Sequence, residues 1–482
     1  MRSLPTPVLL TGLVLVTFGI YHEVWTHEFV WDTNNFVLKN PWLRHPGFDD
    51  FVAMFTKYHR ANWQPMVWLS HALDFALFGD APGWHHLSNV AYHALDCCLV
   101  YWFVVTLLRQ TELPRAEAGS TALLSAAIFA VHPQHVQSVA WVVERKDTLS
   151  VCFTLLCFIA YIKVKQRDDG GSEALPLLLL VLALMSKAMA VTIPVILLLF
   201  DVYPLKRWPD RVPAVRLIAE KWSYFLVAFA VVGVTLYTQR IAMVSLEQEP
   251  LKTRPLTAAN NYLLYVRNYL VPINLSPFYA PVPSMANILA PGYWAPGFAM
   301  ILSVLGAGVV LWVRGWRWPL LMALFYFVTL APVSGLIAVG PAKALDYYAY
   351  LATLPIGLAL SLGIVRLLGV AGRLRSVVAG LVAFWLIALS LISFAYVKIW
   401  QTELTLWLAA YQYYPKSPYV LRNLSGSYLL YGQVDEALRY AKEGARYSQV
   451  GRDWLIQLES SLAQQADKEG DTPPPASEVS PL

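Results

Sequence analysis

Long apolar runs separated by short polar joints set the pattern of this chain. The runs fall at residues 7–25, 87–108, 119–138, 147–163, 174–190, 190–204, 222–239, 293–313, 318–339, 350–369 and 377–397. Each is near the ~20 residues that an α-helix needs to cross a bilayer. The pattern predicts an all-α, polytopic membrane protein with roughly eleven transmembrane helices. The fifth and sixth runs abut and are hard to separate. The stretch Asn260 to Ile273 is apolar but broken by Asn, Arg267 and Pro272, so it reads as interfacial or re-entrant. If it spans, the sides of everything after it invert.

Composition fits this reading. The 482 residues are 57% hydrophobic and 14% charged, against ~25% charged in a soluble domain. No nucleic-acid partner is expected. The first run lacks a small-residue cleavage site and is long enough to span, which predicts a retained helix rather than a signal peptide. Cys97, Cys98, Cys152 and Cys157 all lie inside apolar runs and read as small buried hydrophobes, not disulfides. Basic residues gather in alternate loops: Arg109/Arg115, Lys163/Lys165/Arg167, Lys206/Arg207/Arg211/Arg216/Lys221, Arg314/Arg317 and Arg373/Arg375. The positive-inside rule places these in the cytoplasm, with the N-terminus inside and the C-terminus outside. The loop 26–86, the segment 132–147, Lys187, the stretch 240–292 and Lys343 to Tyr350 then converge on the outer face.

The membrane domain is expected to occupy residues 1–400. Beyond Trp400, Leu424, Ser425, Tyr428, Gly432, Ala437 and Ala441 carry the small-and-large spacing of a tetratricopeptide hairpin, expected over 401–465. One hairpin is too short for independent stability, so it should lean on the membrane domain or on a partner. Residues 466–482, rich in Asp, Gly, Pro and Ser, read as a disordered tail.

Ionisable groups at membrane depth are costly, so a cluster of them marks a candidate site. The segment from His132 to Asp147 joins two apolar runs and carries two histidines, an Arg-Lys pair and two carboxylates. Arg145 and Lys146 suit an anion clamp, or else form an ordinary charged loop before a helix. Lys187 stands between two apolar runs and must snorkel or find an anion. Asp32, just past the first helix, suits a general base or metal ligand. Its Asp-Thr-Asn-Asn context equally suits a turn or N-cap. His59, Trp63, His85 and His86 interleave aromatic and polar groups as a sugar or phosphate site does, or as an interfacial belt does. His132 and His135 could share a helical face, but no further ligands stand nearby, so no metal site is assigned. Asp346 is a further outer acid among tyrosines.

Taken in order, these motifs resemble the transmembrane-and-tetratricopeptide family of O-mannosyltransferase-like proteins and its bacterial relatives. The matching pieces are Phe29-Val-Trp-Asp32 with Asn40-Pro41; Asn62-Trp-Gln-Pro-Met-Val-Trp-Leu-Ser70; Trp84-His-His-Leu-Ser-Asn89 with His93; His132-Pro-Gln-His135 through Val139-Ala-Trp-Val-Val-Glu-Arg-Lys-Asp147; Met185-Ser-Lys187; Asp201-Val-Tyr-Pro-Leu205; and Asp346-Tyr-Tyr-Ala-Tyr-Leu351. The resemblance implies a GT-C-like membrane glycosyltransferase, located in a bacterial inner membrane. It would move a sugar from a polyprenyl-phosphate-linked donor to a protein or glycan acceptor on the outer face, with help from a divalent cation left open. By the same resemblance Asp32 is the base for the acceptor hydroxyl. Arg145, Lys146 and Lys187 would meet the donor phosphate. His59, Trp63, His85, His86, His132, His135, Gln137 and Asp346 would line the site. The chain departs from the family at Thr33, Gln137 and Tyr347, where two acids and an arginine are usual. The alternative is a non-catalytic membrane scaffold that binds a lipid carrier, or a protein partner through its hairpin.

Overall fold

A computed structural model of the chain describes residues 5–167, 171–209, 211–240, 243, 249–282, 284–337, 340 and 342–470. Among these the architecture is all-α, with two isolated β-bridges, His59 with Asn62 and Tyr279 with Ala344. Each expected apolar run carries a helix, from Thr6–Ile20 and Pro82–Leu108 through Leu354–Val370 and Arg375–Val397. Five stretches are long and apolar enough to cross a bilayer: Pro82–Leu108, Val142–Lys165, Trp222–Gln239, Met285–Val313 and Gly372–Trp400. A sixth is the pair Asp346–Ala352 and Leu354–Val370, bent by 56°. Thr6–Ile20, Ala174–Ser186, Ala188–Val202 and Trp318–Val333 are apolar but shorter. The chain is a multi-pass integral membrane protein in which several of the expected spans are short or broken helices.

Local sequence explains the breaks. Pro355 opens the Leu354–Val370 helix, where the missing N–H of proline is tolerated and continuity with the preceding turn is not. The two abutting runs part at Lys187, whose extended backbone ends the Ala174–Ser186 helix.

Pro82–Leu108 is the central helix. It packs on Arg115–Val131 and Arg145–Lys165, and the latter packs on Ala174–Ser186. Its apolar window is 61% buried, whereas those of Met285–Val313 and Gly372–Trp400 are 11% buried and therefore face lipid. Arg254–Leu270 does not qualify as a span. It is amphipathic, burying Ala258, Asn261, Tyr262, Tyr265, Asn268 and Tyr269 along one face. It crosses Pro291–Val313 at Gly297, where an added Cβ would stand 2.1 Å from the Ala259 carbonyl oxygen. Only glycine permits that approach.

The C-terminal region forms Glu403–Tyr413, Pro418–Leu430, Val434–Ala445 and Gln449–Gly470. Leu424, Ser425, Ala437 and Ala441 are buried between the second and third helices, and Tyr428 stacks on Tyr440 at 5.3 Å. Gly432, with φ +73°, makes the tight turn between them. The last helix continues through residues 466–470, the start of the expected tail. Residues 471–482 lie outside the described residues.

Candidate active site

Asp32 sits on a turn held from several sides. Its carbonyl oxygen accepts the N–H groups of Asn35 (3.0 Å) and Phe36 (2.9 Å). The backbone thus makes the turn that Asp-Thr-Asn-Asn favours. The carboxyl caps no helix and is left for other work. Trp31, just before it, adopts φ +57°, an uncommon conformation for a non-glycine residue. Its ring stacks on Trp141 at 4.4 Å and 7°, and its indole N–H donates to the Tyr419 hydroxyl at 3.3 Å. Its backbone N–H donates to the Glu403 carboxylate. Burial pushes the Asp32 carboxyl up to about 6; Lys146 opposes that rise, and Glu403 and Glu144 add to it. The Trp31–Trp141 stack ties this turn to the segment that carries Glu144 and Lys146, and the Trp31 N–H ties it to Glu403.

The lysines lie in a paired cluster. Lys146 Nζ is 2.8 Å from Glu144 Oε1. Lys187 pairs with Asp147 and stands 3.7 Å from Glu144 Oε2. Both ammonium groups face the Tyr347 ring, at 5.5 and 4.5 Å. Their side chains retain 16% and 12% exposure. Ser138 Oγ fixes Asp147 from the other side at 3.2 Å. The cleft beside Lys187, Tyr347 and Tyr348 measures only about 20 Å³. That is room for a water, not a sugar, so a donor requires the cleft to open.

Arg145 does not join this cluster. Its buried guanidinium contacts Asp74 Oδ2 at 2.6 Å and donates to Asn89 Oδ1 (2.7 Å), the His85 carbonyl (2.8 Å) and the Ser70 carbonyl (3.3 Å). The expected phosphate ligand is a structural bolt between residues 70–89 and the 132–147 segment. Its charge and hydrogen bonds are already matched inside the protein.

Most of the expected lining residues are bolts as well. His85 Nε2 bonds the Gly79 carbonyl (2.9 Å), and His86 Nε2 bonds that of Glu28 (3.1 Å). His132 Nε2 meets the Tyr269 carbonyl (2.8 Å), and its ring stacks on Tyr269 at 4.1 Å. His135 bonds the Phe129 carbonyl (2.8 Å) and faces Thr353 Oγ1 (3.4 Å). Gln137 donates to the Pro277 carbonyl (3.0 Å) and accepts from the Tyr347 N–H (3.2 Å). Asp346 accepts from Tyr279 (2.8 Å), Asn268 (3.1 Å) and Gln134 (3.3 Å). All six are fully or nearly fully buried, so none lines an open site. His59 and Trp63, half-buried, bond the carbonyls of Asn35 (2.9 Å) and Phe55 (2.9 Å) and shape the loop instead.

Glu144, Glu403 and Trp31 were not singled out by the sequence reading. Glu144 stands beside the Arg-Lys pair that was, and its carboxylate could have been added on that ground. Glu403 carries no local signal, because its partner is 372 residues away. For a metal, His71, Asp74 and His85 bring ligand atoms within 4.8 Å of one another. The Arg145 guanidinium already occupies the cationic position on Asp74, so this cluster does not suit a metal ion.

Fold and site together define an all-helical, multi-pass membrane protein in which a tryptophan-rich turn carries Asp32 and two lysines meet at the buried Glu144. Its relatives include the protein O-mannosyl-transferases Tmtc1 and Tmtc2 of Drosophila melanogaster. Tmtc1 is 30% identical over 192 residues (38% of this chain, 21% of the relative), and Tmtc2 is 30% identical over 203 residues (39% and 21%). Human TMTC1, also a protein O-mannosyl-transferase, is 28% identical over 205 residues (38% and 22%). The chain thus matches about a fifth of the length of these relatives. No family model matches. Among solved structures, ArnT from Cupriavidus metallidurans bound to undecaprenyl phosphate aligns with 97% of this chain and 81% of its own, at 13% identity and a TM-score of 0.39. A likeness that distant does not define a shared fold.

Proposed function

We propose that the chain is a GT-C-like membrane glycosyltransferase that moves a sugar from a polyprenyl-phosphate donor to an acceptor hydroxyl on the non-cytoplasmic face. The observation that carries this is the turn that bears Asp32: Trp31 beside it stacks on Trp141, in the segment that carries Lys146, and burial raises the affinity of the Asp32 carboxyl for its proton. Glycosyl transfer needs a base at the acceptor and positive charge at the leaving phosphate. Asp32 takes the hydroxyl proton as the acceptor oxygen attacks the anomeric carbon. The bond from that carbon to the donor phosphate breaks, and the phosphate leaves with the electron pair. Lys146 and Lys187 meet the departing charge by exchanging Glu144 and Asp147 for phosphate oxygens. The similarity to protein O-mannosyl-transferases supports a hexose donor. The basic loops support an outer location for Asp32 and an inner N-terminus. No metal ligand set is assigned here.

A second reading is a membrane scaffold without chemistry. It is favoured by the closed cleft and by the neutral Gln137, which serves as a backbone clamp. Thermal shift and transfer measured with a panel of polyprenyl-phosphate sugars, on wild type and Asp32→Asn, separate the two readings. Transfer abolished in the variant with donor-induced stabilisation kept supports the enzyme. Wild-type protein that is stabilised by a donor and transfers nothing supports the scaffold.

A further inference from the structure

A cavity of about 750 Å³ opens at the end of the membrane domain remote from Asp32. Its walls come from the C-terminal halves of Pro82–Leu108 and Ile193–Val202, from Trp318–Leu330 and from Leu354–Val370. The opposite ends of three of these helices carry or adjoin His86, Lys187 and Asp346, the outer-face group. The interior is apolar, with Phe103, Phe200, Phe325 and Leu358 on its walls and Leu354 and Pro355 at its floor. From Leu354 to Arg366 at the mouth the helix advances twelve residues, about 18 Å at the helical rise. One leaflet of a bilayer is about 15 Å of hydrocarbon. The volume lies within the ~300–1,000 Å³ range of small-molecule sites.

The mouth is charged and leans positive. Lys206, Arg317 and Arg366 stand there with Glu112 and Glu117. Lys206 pairs with Glu112 at 3.2 Å and Arg366 with Glu117 at 3.0 Å, both across half-exposed surface. Such pairs are worth little and yield to a phosphate. Arg317 rests against the Trp312 ring at 5.5 Å and donates to the Trp208 carbonyl at 3.4 Å; no carboxylate pairs with it among the described residues. Lys206 and Arg317 belong to the basic loops that mark the cytoplasmic side. Basic pockets between transmembrane helices on that side recognise anionic headgroups.

We infer that this cavity holds one acyl chain of an anionic glycerophospholipid of the cytoplasmic leaflet, with the headgroup phosphate at Arg317 and Lys206. The site is separate from the sugar-transfer cluster and does not depend on its chemistry.

The test uses the full chain, purified in detergent, exchanged with dioleoyl phosphatidylglycerol or dioleoyl phosphatidylcholine and examined by native mass spectrometry. One phosphatidylglycerol is expected to stay bound through washing that strips phosphatidylcholine. Lys206→Gln and Arg317→Gln should each lower its retention about fivefold, matching ~1 kcal/mol per cation. Leu358→Trp, which narrows the cavity and keeps the cations, should lower it as well. A thermal melt identifies any variant that has unfolded, and the two surface substitutions remain informative if Leu358→Trp does so. Equal retention of phosphatidylcholine, preferential retention of a polyprenyl phosphate, or phosphatidylglycerol binding unchanged in the charge variants would overturn the assignment.

Discussion

The carboxylate of Glu403, in the first turn of the C-terminal helical region, accepts the backbone N–H of Trp31, the residue that precedes Asp32. The left-handed backbone of Trp31 costs on the order of 1–3 kcal/mol and persists only when its surroundings hold it. Those surroundings come from both halves of the chain: Trp141 from the membrane domain, and Glu403, Trp407 and Tyr419 from the C-terminal helices. The Glu28 N–H adds a bond to the Gln401 carbonyl at 2.9 Å, and the Tyr431 hydroxyl donates to the Glu28 carboxylate at 2.6 Å. The C-terminal hairpin therefore forms part of the support for Asp32.

Removing Glu403 should disturb Asp32 in two separable ways. Glu403→Ala loses the Trp31 contact and the 2.9 Å bond from Trp407 Nε1, and should cost about 2 kcal/mol in thermal stability. Glu403→Gln keeps an acceptor but removes the charge that helps raise the Asp32 carboxyl. The acid limb of the transfer pH profile should then move below about 6. An unmoved limb in the Gln variant would show that Glu403 does not act on Asp32.

Asp32 should be a stability liability above its titration. Its folded-state value of about 6 exceeds the ~3.9 of a free aspartate. The native state therefore binds the proton more tightly than the unfolded chain. The destabilisation starts as pH rises past about 4 and is complete above about 6. Asp32→Asn removes it. The variant should melt higher than wild type at pH 7.5, by on the order of 2 kcal/mol less the part that solvent screens, and match it near pH 4. Melting curves at the two pH values check this.

Arg145 should behave as a fold residue. Arg145→Met leaves Asp74 buried beside a neutral side chain, a change that costs ~3–5 kcal/mol. Yield and melting temperature should fall steeply. A variant that folds normally and loses only donor affinity would return Arg145 to the donor site.

Lys146 should show the opposite behaviour. Its side chain is partly exposed and near Asp32. Lys146→Gln keeps a donor beside the buried Glu144, with Lys187 still at 3.7 Å, so it should cost less stability than Arg145→Met and raise the donor KM about tenfold or more, the loss of one charge-assisted hydrogen bond to phosphate. Steady-state kinetics against donor concentration provide the check.

Hydrophobic pattern alone placed the helices well, because a bilayer imposes one length on every crossing. It marked two abutting runs around Lys187, and the structure parts them there, but pattern alone did not show which helices would be short or bent. The lysine–acid cluster was legible in part. Lys146 and Lys187 meet at Glu144, and Asp32 stands on the turn whose Trp31 stacks on Trp141 in the same segment. Arg145, the histidines, Gln137 and Asp346 carry the same residue types as a binding site. Their polar atoms turn inward to backbone carbonyls and buried donors, and only coordinates reveal that direction. Glu403 could not be placed, since pairing across 372 residues leaves no local mark.

The central claim is that Asp32 is the base of a sugar-transfer reaction. Its most direct test is the transfer rate of purified wild type and Asp32→Asn with a polyprenyl-phosphate sugar, donor binding being measured in parallel by thermal shift. The expected result is a fall of at least ~10²-fold in rate with donor-induced stabilisation retained. Transfer at the wild-type rate by Asp32→Asn would contradict it.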